Sequence, residues 1–281
     1  MTDINAPIRY FGGKGGMINE LLSYFPDSSA YDSFVDVYGG SGVVLLNKPR
    51  VPIEIYNDIN KNVYTLFKVL RDPVLFAGFQ RLCELALYDE STSDEYRLSL
   101  RDELDDVERA FRFWYVNRTR HNGVGGFSIN TTVRRETSKS VSDFLSSVAE
   151  LPGLHARLST VVVTNRDSLD FISEWDRKRT LLYLDPPYVH STRTEARYES
   201  DVDDEHHNRL VEMLNAIKNA YTVLSGYDNE LYNQLKGYTR HDFVVNTVSG
   251  NGDPKQKTES LWINYDSMRT LPLFGMFKDY G

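Results

Sequence analysis

The chain has 281 residues, of which 41% are hydrophobic and 26% charged, and a length of this order fits one domain with a large insertion or two small domains. Its longest apolar runs are too short to cross a bilayer and its first residues carry no apolar signal segment, which predicts a soluble intracellular protein. Cys83 is the only cysteine, which excludes disulfides and cysteine-based zinc sites, and the net charge of −8 argues against a polyanionic partner for the chain as a whole.

The predicted elements alternate between strands and helices along most of the chain. Five strands are predicted at FVDVYGG (34–40), IEIYND (53–58), TVVVTNRD (160–167), TLLYLDPP (180–187) and YTVLSGY (221–227). Helical spacing of apolar residues predicts helices over Asn60–Arg71, Pro73–Tyr88, Asp204–Asn219 and Asn229–Lys236. HDFVVNTVSG and ESLWINY predict a final antiparallel pair. This order is typical of an α/β fold with a mostly parallel, doubly wound sheet and an added edge hairpin.

Residues 73–157 interrupt this alternation, because they contain helical patterns and a glycine-rich loop but no strand suited to a central sheet. We therefore expect an insertion there. Within it, the stretch 109–140 reverses the sign of the charge, with Glu136 as its only acid beside seven basic residues: Arg109, Arg112, Arg118, Arg120, Arg134, Arg135 and Lys139. A local basic face is one interpretation, and a solvated surface helix and loop is the other.

Two glycine-rich segments near the amino terminus predict a ligand site. RYFGGKGG (9–16) lacks the spacer and the Ser/Thr of a phosphate loop, which disfavours an NTPase, but it places Lys14 near Tyr10, where a cation and an aromatic face could hold a ligand. DVYGGSGVV places glycines at a strand-to-helix turn, where a nucleotide-like ligand could approach the backbone: Gly39, Gly40 and Gly42. Asp58, at the tip of the second strand, is a candidate ribose ligand, with helix capping as the alternative.

The stretch TLLYLDPPYVHSTR (180–193) predicts a buried strand that ends at a carboxylate and two prolines. Asp185 and the Pro186 carbonyl form a pair of acceptors stiffened by Pro187, and Tyr188 offers a flat face, a combination that suits a planar ring carrying an amino group. A simple turn with a capping Asp is the alternative.

His206 and His207 invite a metal interpretation together with Asp203, Asp204 and Glu205. We prefer a solvated helix start, because adjacent helical residues point to different sides.

Seven segments, in matching order from about residue 7 to residue 266, resemble the DNA adenine methylase family of bacterial and phage enzymes that use S-adenosyl-L-methionine. They are RYFGGKGG, FVDVYGGSG, YNDIN, NRTRHNG, LDPPY, LSGYDNELY and ESLWINY. The resemblance implies a Rossmann-like methyltransferase domain over residues 1–72 and 158–281, a helical target-recognition domain over 73–157, duplex DNA as partner, no metal or membrane partner, and a cytoplasmic location. The family often has Trp at position 10, Glu at position 36 and an aromatic residue at position 121, where this chain has Tyr, Asp and His.

The resemblance also implies roles for individual residues. Catalytic residues would be Asp185, Pro186, Pro187 and Tyr188. Cofactor-lining residues would be Tyr10, Lys14, Asp36, Gly39, Gly40, Gly42, Asp58, Asp167 and Asp185, with Asp58 on the ribose and Asp167 near the adenine. DNA-facing residues would be Arg9, Asn117, Arg118, Arg120, Asn122, Arg134 and Arg135, and a loop after the corner adds Arg193, Arg197 and Tyr198.

The expected reaction is methyl transfer to the exocyclic N6 of a flipped-out adenine. Asp185 and the Pro186 carbonyl would accept the two amino hydrogens, Asp185 would receive the proton that is lost, and Tyr188 would stack on the base. Alternatives are the same chemistry on N4 of cytosine or on RNA, a silent DNA-binding relative, and a nucleotide-dependent oxidoreductase. The absence of G-x-G-x-x-G argues against the last of these.

Overall fold

The computed structural model describes residues 4–10, 14–187, 204–248 and 254–266. Tyr188, Arg193, Arg197 and Tyr198, which the sequence places in the site, lie outside these ranges, as does the loop that carries them.

Nine strands occur in the described residues. They are β1 (Ser33–Asp36), β2 (Ile53–Asn57), β3 (Val133–Arg134), β4 (Thr137–Ser138), β5 (Val162–Thr164), β6 (Thr180–Leu184), β7 (Tyr221–Gly226), β8 (Thr239–Val248) and β9 (Pro254–Ile263). Seven of them form one sheet in the order β5-β2-β1-β6-β7-β9-β8, and β3 and β4 form a separate hairpin. The first five strands of the large sheet run parallel, and β9 pairs antiparallel with both β7 and β8. The predicted Rossmann-like, doubly wound sheet with an edge hairpin is confirmed.

Ten α-helices accompany the strands in the described part of the chain. They are α1 (Ile18–Leu22), α2 (Val43–Asn47), α3 (Lys61–Arg71), α4 (Pro73–Leu85), α5 (Glu90–Ser99), α6 (Asp106–Thr119), α7 (Lys139–Ala149), α8 (Leu151–Leu158), α9 (Ser168–Glu174) and α10 (Asp204–Ala216). Side-chain oxygens cap the amino ends of several of them, for example Asn60 at α3 and Asp72 at α4.

Alternate residues of the buried strands face two separate hydrophobic cores, as the two-residue period of a strand requires. Phe34 and Leu181 belong to one core, together with α1 to α4, α6 and α8, while their neighbours Val35 and Leu182 belong to the other, with α9 and α10. The sheet is therefore covered on both faces, which explains why its central strands are apolar throughout.

The segment 73–157 contributes α4 to α8 and the small β3–β4 hairpin, and no described strand of it joins the large sheet. Its helices share the first core rather than having one of their own, since Phe79 and Trp114 lie in the same cluster as Phe34. Arg157 of α8 ties the end of the segment to β2 by donating from Nη1 to Glu54 Oε2 at 2.6 Å.

The predicted boundaries differ from the structure in a few places. The helix predicted over Asn229–Lys236 is wrong: only a 3-10 turn forms there (Tyr232–Gln234), and Lys236 N donates to Asn215 Oδ1 instead of continuing a helix. Cys83 is buried, as expected. Among the described helices, none is both long and apolar enough to cross a membrane.

Candidate functional site

The carboxyl ends of β1 and β6 meet where the strand order of the sheet reverses. Asp36 ends β1 opposite Tyr183 of β6, and Asp185 follows β6 directly. Ligands of open α/β sheets bind beyond the carboxyl ends of the strands at this reversal. The corner Asp185-Pro186-Pro187, with Asp185 22% exposed and Pro186 buried, therefore has the position of a ligand site.

Lys14 provides the cation of this corner. Its Nζ lies 2.9 Å from Asp185 Oδ1 and 3.5 Å from Glu259 Oε2, with the lysine side chain 2% exposed. Burial raises the pKa of Asp185 above its ordinary value, while Lys14 and the nearby Ser225 hydroxyl act in the opposite direction. The prediction that Lys14 lies at the site is consistent with this geometry, but its partners here are two protein carboxylates.

Asp36 is buried among these charges, and neither of its carboxylate oxygens has a hydrogen-bond partner in the described residues. Burial, and then repulsion from Asp185 and Asp58, raises its pKa well above the ordinary value. An unpaired buried carboxylate is unfavourable unless a ligand donor or cation satisfies it. Asp36, close enough to Asp185 and Asp58 to be repelled by both, therefore suits a cationic or amino-bearing ligand.

The glycine turn packs against the protein's own aromatic rings. A Cβ on Gly39 would lie 2.2 Å from the Tyr56 ring, and one on Gly42 would lie 2.7 Å from Phe67, so the protein's own rings demand these glycines. The backbone N–H groups of the turn are also used internally: Gly39 donates to Asn57 O and Gly42 to Gly39 O. The backbone N–H groups of Gly39 and Gly42 are therefore not free for a ligand, and α2 itself is only five residues long.

Asp58 lies beside this turn and is 7% exposed. Its carboxylate accepts from Gly40 N and from Asn60 N, both at 2.8 Å, and burial raises its pKa to about 6. The alternative role as helix cap is wrong, because Asn60 rather than Asp58 caps α3. Asp58 instead fixes the glycine turn to the end of β2, and its contact with a ribose stays a prediction.

Tyr10 and Asp167 flank the same edge of the sheet. The Tyr10 ring lies over Gly40, whose Cβ would come within 3.2 Å of Tyr10 Cδ1. Asp167 is exposed and caps α9 through its side chain, after β5. The predicted cofactor-lining residues thus line the carboxyl edge from β5 to β6, although no contact with a ligand tests their roles.

A separate cavity of about 430 Å³ collects four of the predicted DNA-facing arginines. Arg9, Arg118, Arg134 and Arg135 line it together with two acids, Asp143 and Glu150. This excess of positive charge is typical of a site for a polyanion. Burial, followed by repulsion from Arg9, lowers the pKa of Arg118 to about 10, and its Nε has no hydrogen-bond partner in the described residues.

The β3–β4 hairpin presents two of these arginines at its tip. Arg135 and Glu136 adopt positive φ angles of 52° and 62°, a conformation that is strained for residues other than glycine by roughly 1–3 kcal/mol each. The hairpin is anchored to α7, since Arg134 Nη1 pairs with Asp143 Oδ1 at 2.9 Å and Arg135 Nη1 donates to Ser146 Oγ at 3.1 Å. The strained turn therefore holds both guanidinium groups beside the cavity.

Two predicted DNA-facing residues are buried and need correction. Asn117 holds the backbone of residue 9 from both sides, accepting from Arg9 N at 2.6 Å and donating to Arg9 O at 2.8 Å. Arg120 is 5% exposed and donates to Asp94 and to Gly125 O, which ties the glycine-rich loop to α5. Their position in a basic, polar segment cannot distinguish such internal contacts from a DNA-facing surface. The side chain of Asn122 lies outside the described residues.

The adjacent histidines point to different partners, as expected, but the predicted solvated helix start holds only for Asp204 and Glu205, since His207 is fully buried. His206 Nε2 hydrogen-bonds Tyr38 OH at 2.9 Å, whereas His207 is buried and its Nδ1 hydrogen-bonds Tyr232 OH at 2.8 Å. No group of three or more His, Cys, Asp or Glu that could hold a metal ion occurs in the described ranges.

Comparison with known proteins gives one family and three relatives. A family model described as D12 class N6 adenine-specific DNA methyltransferase matches residues 10–244. Modification methylase StsI from Streptococcus sanguinis is 25% identical, covering 94% of this chain and 43% of that protein. Type II methyltransferase M.FokI from Planomicrobium okeanokoites is 26% identical, covering 67% of this chain and 30% of that protein. The chain thus spans less than half the length of these two relatives.

Type II methyltransferase M1.LlaDCHI from Lactococcus lactis subsp. cremoris has a similar length. It is 22% identical to the chain, and the match covers 92% of this chain and 94% of that protein.

Proposed function

Because this chain belongs to the D12 class of N6 adenine-specific DNA methyltransferases, we propose that it transfers a methyl group from S-adenosyl-L-methionine to N6 of adenine in duplex DNA. The observation that carries this proposal is the corner after β6, where the Asp185 carboxylate and the Pro186 carbonyl follow a buried strand at the reversal of the sheet order. In this proposal Asp185, Pro186, Pro187 and Tyr188 act in catalysis. Tyr188 itself lies outside the described residues.

The residues present fit the proposed cofactor. Asp36 has an unsatisfied buried carboxylate, Tyr10 covers Gly40, and Asp58 fixes the glycine turn. An acidic, partly enclosed site suits a ligand with a sulfonium and an ammonium group. When bound, S-adenosyl-L-methionine supplies an electrophilic methyl group; Tyr10, Lys14, Asp36, Gly39, Gly40, Gly42, Asp58, Asp167 and Asp185 are the residues proposed to surround it.

The chain's own residues prepare the adenine amino group. The Asp185 carboxylate and the Pro186 carbonyl accept its two hydrogens and draw its lone pair away from the ring, toward the reacting methyl. Burial, which raises the pKa of Asp185, makes this carboxylate a better proton acceptor, and it holds the proton that N6 loses after transfer. A base paired within the duplex cannot reach such a corner, so the target nucleotide must be flipped out.

The domain that recognises DNA is proposed to be the insertion, residues 73–157, beside a catalytic domain of residues 1–72 and 158–281. Arg9, Arg118, Arg134 and Arg135 then contact DNA phosphates or bases from the cavity between the amino-terminal segment, α6, the hairpin and α7. Asn117 and Arg120 are assigned to positioning Arg9 and the glycine-rich loop, as their buried contacts favour.

Incubation with tritium-labelled cofactor and duplex DNA, followed by identification of the labelled nucleoside, tests the proposal. We expect the label in N6-methyladenine, and none with the Asp185→Ala variant as the matched control. Label in N4-methylcytosine, label in RNA but not in DNA, or no transfer by a folded chain that binds the cofactor would contradict it.

A further inference from the structure

Glu259 lies at the corner although it is distant from Asp185 in the chain. It belongs to β9, whose register pairs its neighbour Ser260 with Gly226 at the carboxyl end of β7. The side chain is 7% exposed, and its Oε2 is 3.5 Å from Lys14 Nζ. The edge hairpin therefore contributes a carboxylate to the same end of the sheet as the corner.

Lys14 is consequently shared between two acids. Its ammonium group is 2.9 Å from Asp185 and 3.5 Å from Glu259, and its side chain is 2% exposed, so that water screens these interactions poorly. A cation that faced Asp185 alone would stabilise the charged carboxylate strongly and make it a weaker proton acceptor. A second carboxylate on the same cation weakens this hold, because the ammonium interacts with both and the two acids repel each other.

We propose that Glu259 is a positioning residue which, by sharing the Lys14 ammonium, keeps Asp185 basic enough to accept the adenine amino hydrogens. This inference rests on the proposed function, and it deepens it by giving the edge hairpin a role in the chemistry. Glu259 touches neither the base nor the cofactor in this scheme; it acts on Asp185 through Lys14.

Other titratable or polar groups also face Asp185 and must be separated from this effect. Within the described ranges they are Asp36 on β1, Tyr183 on β6, Ser225 on β7 and Tyr232 in the following 3-10 turn. Asp185 repels Asp36 and raises its pKa, the Ser225 hydroxyl acts to lower the pKa of Asp185, and the two tyrosines have raised pKa values that keep them neutral near pH 7. Lys14 is the cation that contacts Asp185 in the described residues, and Glu259 is a second carboxylate on the same ammonium group.

The test is the pH dependence of single-turnover methyl transfer in Glu259→Gln and Lys14→Met. With Gln at 259, the negative charge that competes with Asp185 for Lys14 is gone, so the acid limb should move to lower pH by about one unit and the plateau rate should fall about tenfold. With Met at 14, Asp185 loses its cation, so the acid limb should move to higher pH. Glu259→Asp, which keeps the charge, should leave the acid limb at its original pH.

Two further measurements distinguish the proposed effect from misfolding of the variant and from failure of the proposed function. Calorimetry should give a cofactor dissociation constant for Glu259→Gln within about threefold of the original. Infrared difference spectra against the Asp185→Asn protein follow the titration of the Asp185 carboxyl without any turnover. A downward shift of that titration in Glu259→Gln supports the inference even if the chain methylates something other than adenine.

An acid limb and an infrared titration that stay in place in Glu259→Gln would overturn the inference. The same holds if the rate falls equally at every pH, since that is the result of a purely structural role. An unchanged rate profile would also remove Glu259 from the reaction.

Discussion

The acidic corner around Asp185 and the arginine cavity of the insertion are opposite kinds of charged site. In the corner, Lys14 and Glu259 are buried and paired with one another, and the buried Asp36 is repelled by Asp185. In the cavity, Arg134 and Arg135 are exposed and only partly balanced by acids. Buried charges act through their pKa values, whereas exposed ones act through screened attraction to a partner. The corner should therefore respond mainly to pH, and the cavity mainly to salt.

Removal of Asp185 should give the largest effect, because no second group replaces it. In Asp185→Ala we expect the rate of methyl transfer to fall by about three orders of magnitude or more, with cofactor affinity kept within a few-fold. Single-turnover assays and calorimetry measure the two quantities. Asp32→Ala is the matched control, since Asp32 is half-exposed and lies before the amino end of β1, whereas the corner lies at the carboxyl ends of the strands. A variant at 185 that kept a near-normal rate would remove the corner from the mechanism.

Gly39 of the glycine turn and Gly126 of the insertion should differ in how much an added methyl group lowers stability. A Cβ on Gly39 would overlap the Tyr56 ring at 2.2 Å, so Gly39→Ala should lower the free energy of unfolding by about 1–3 kcal/mol. Gly126, in the loop of the insertion, has no atom within 4 Å of an added Cβ, and Gly126→Ala should be nearly neutral. Urea denaturation compares them. Equal stabilities would mean that the Tyr56 ring can move aside.

Arginines within the insertion should separate into two groups. Arg120→Ala breaks buried hydrogen bonds to Asp94 and Gly125 and should reduce stability by about 1–3 kcal/mol. Arg134→Ala removes a half-exposed charge, so stability should change by less than about 1 kcal/mol while the salt slope of DNA binding falls by about one unit. Denaturation and salt titrations measure these effects. A lost unit of slope for Arg120→Ala at full stability would return Arg120 to the DNA surface.

The raised pKa of Asp58, beside the glycine turn, should give a smaller effect, a dependence of the free energy of unfolding on pH. The pKa of Asp58 is raised to about 6, so the folded state binds the proton more tightly than the unfolded state does. Its contribution is therefore present at low pH and is lost as pH rises through about 6. Between pH 5 and pH 7, the free energy of unfolding of the original protein should fall by roughly 1 kcal/mol relative to Asp58→Asn. Parallel pH curves from denaturation of the two proteins would contradict the assignment.

The sequence predicted the fold well where the pattern is local. The strand predicted at TLLYLDPP (180–187) forms over Thr180–Leu184 and stops before Asp185, since the two prolines cannot continue a ladder, and Asn60 caps the helix predicted to begin there. The helix predicted over 229–236 does not form beyond one 3-10 turn, because its end is held by a contact distant in sequence, from Lys236 N to Asn215 Oδ1.

The site was predictable only in part, because its pairs are distant in sequence. Asp185, Asp58 and the glycine turn could be found from strand ends, but nothing in a single sequence relates Lys14 to Glu259. For the same reason, the basic pattern around residue 120 could not separate the buried contacts of Arg120 from the open cavity beside Arg134. The only signal for Glu259 was the ESLWINY segment, to which no chemistry was assigned.

The double hydrogen bond between Asn117 and the backbone of residue 9 has a mechanical consequence. The carboxyl end of α6 and the segment leading to Tyr10 cannot shift separately without breaking bonds of 2.6 and 2.8 Å. Arg9 faces the arginine cavity, and its neighbour Tyr10 covers the glycine turn, so a single dipeptide bridges both surfaces. A ligand that displaces this dipeptide at one surface therefore also displaces it at the other, and the coupling free energy that results is the same in both directions.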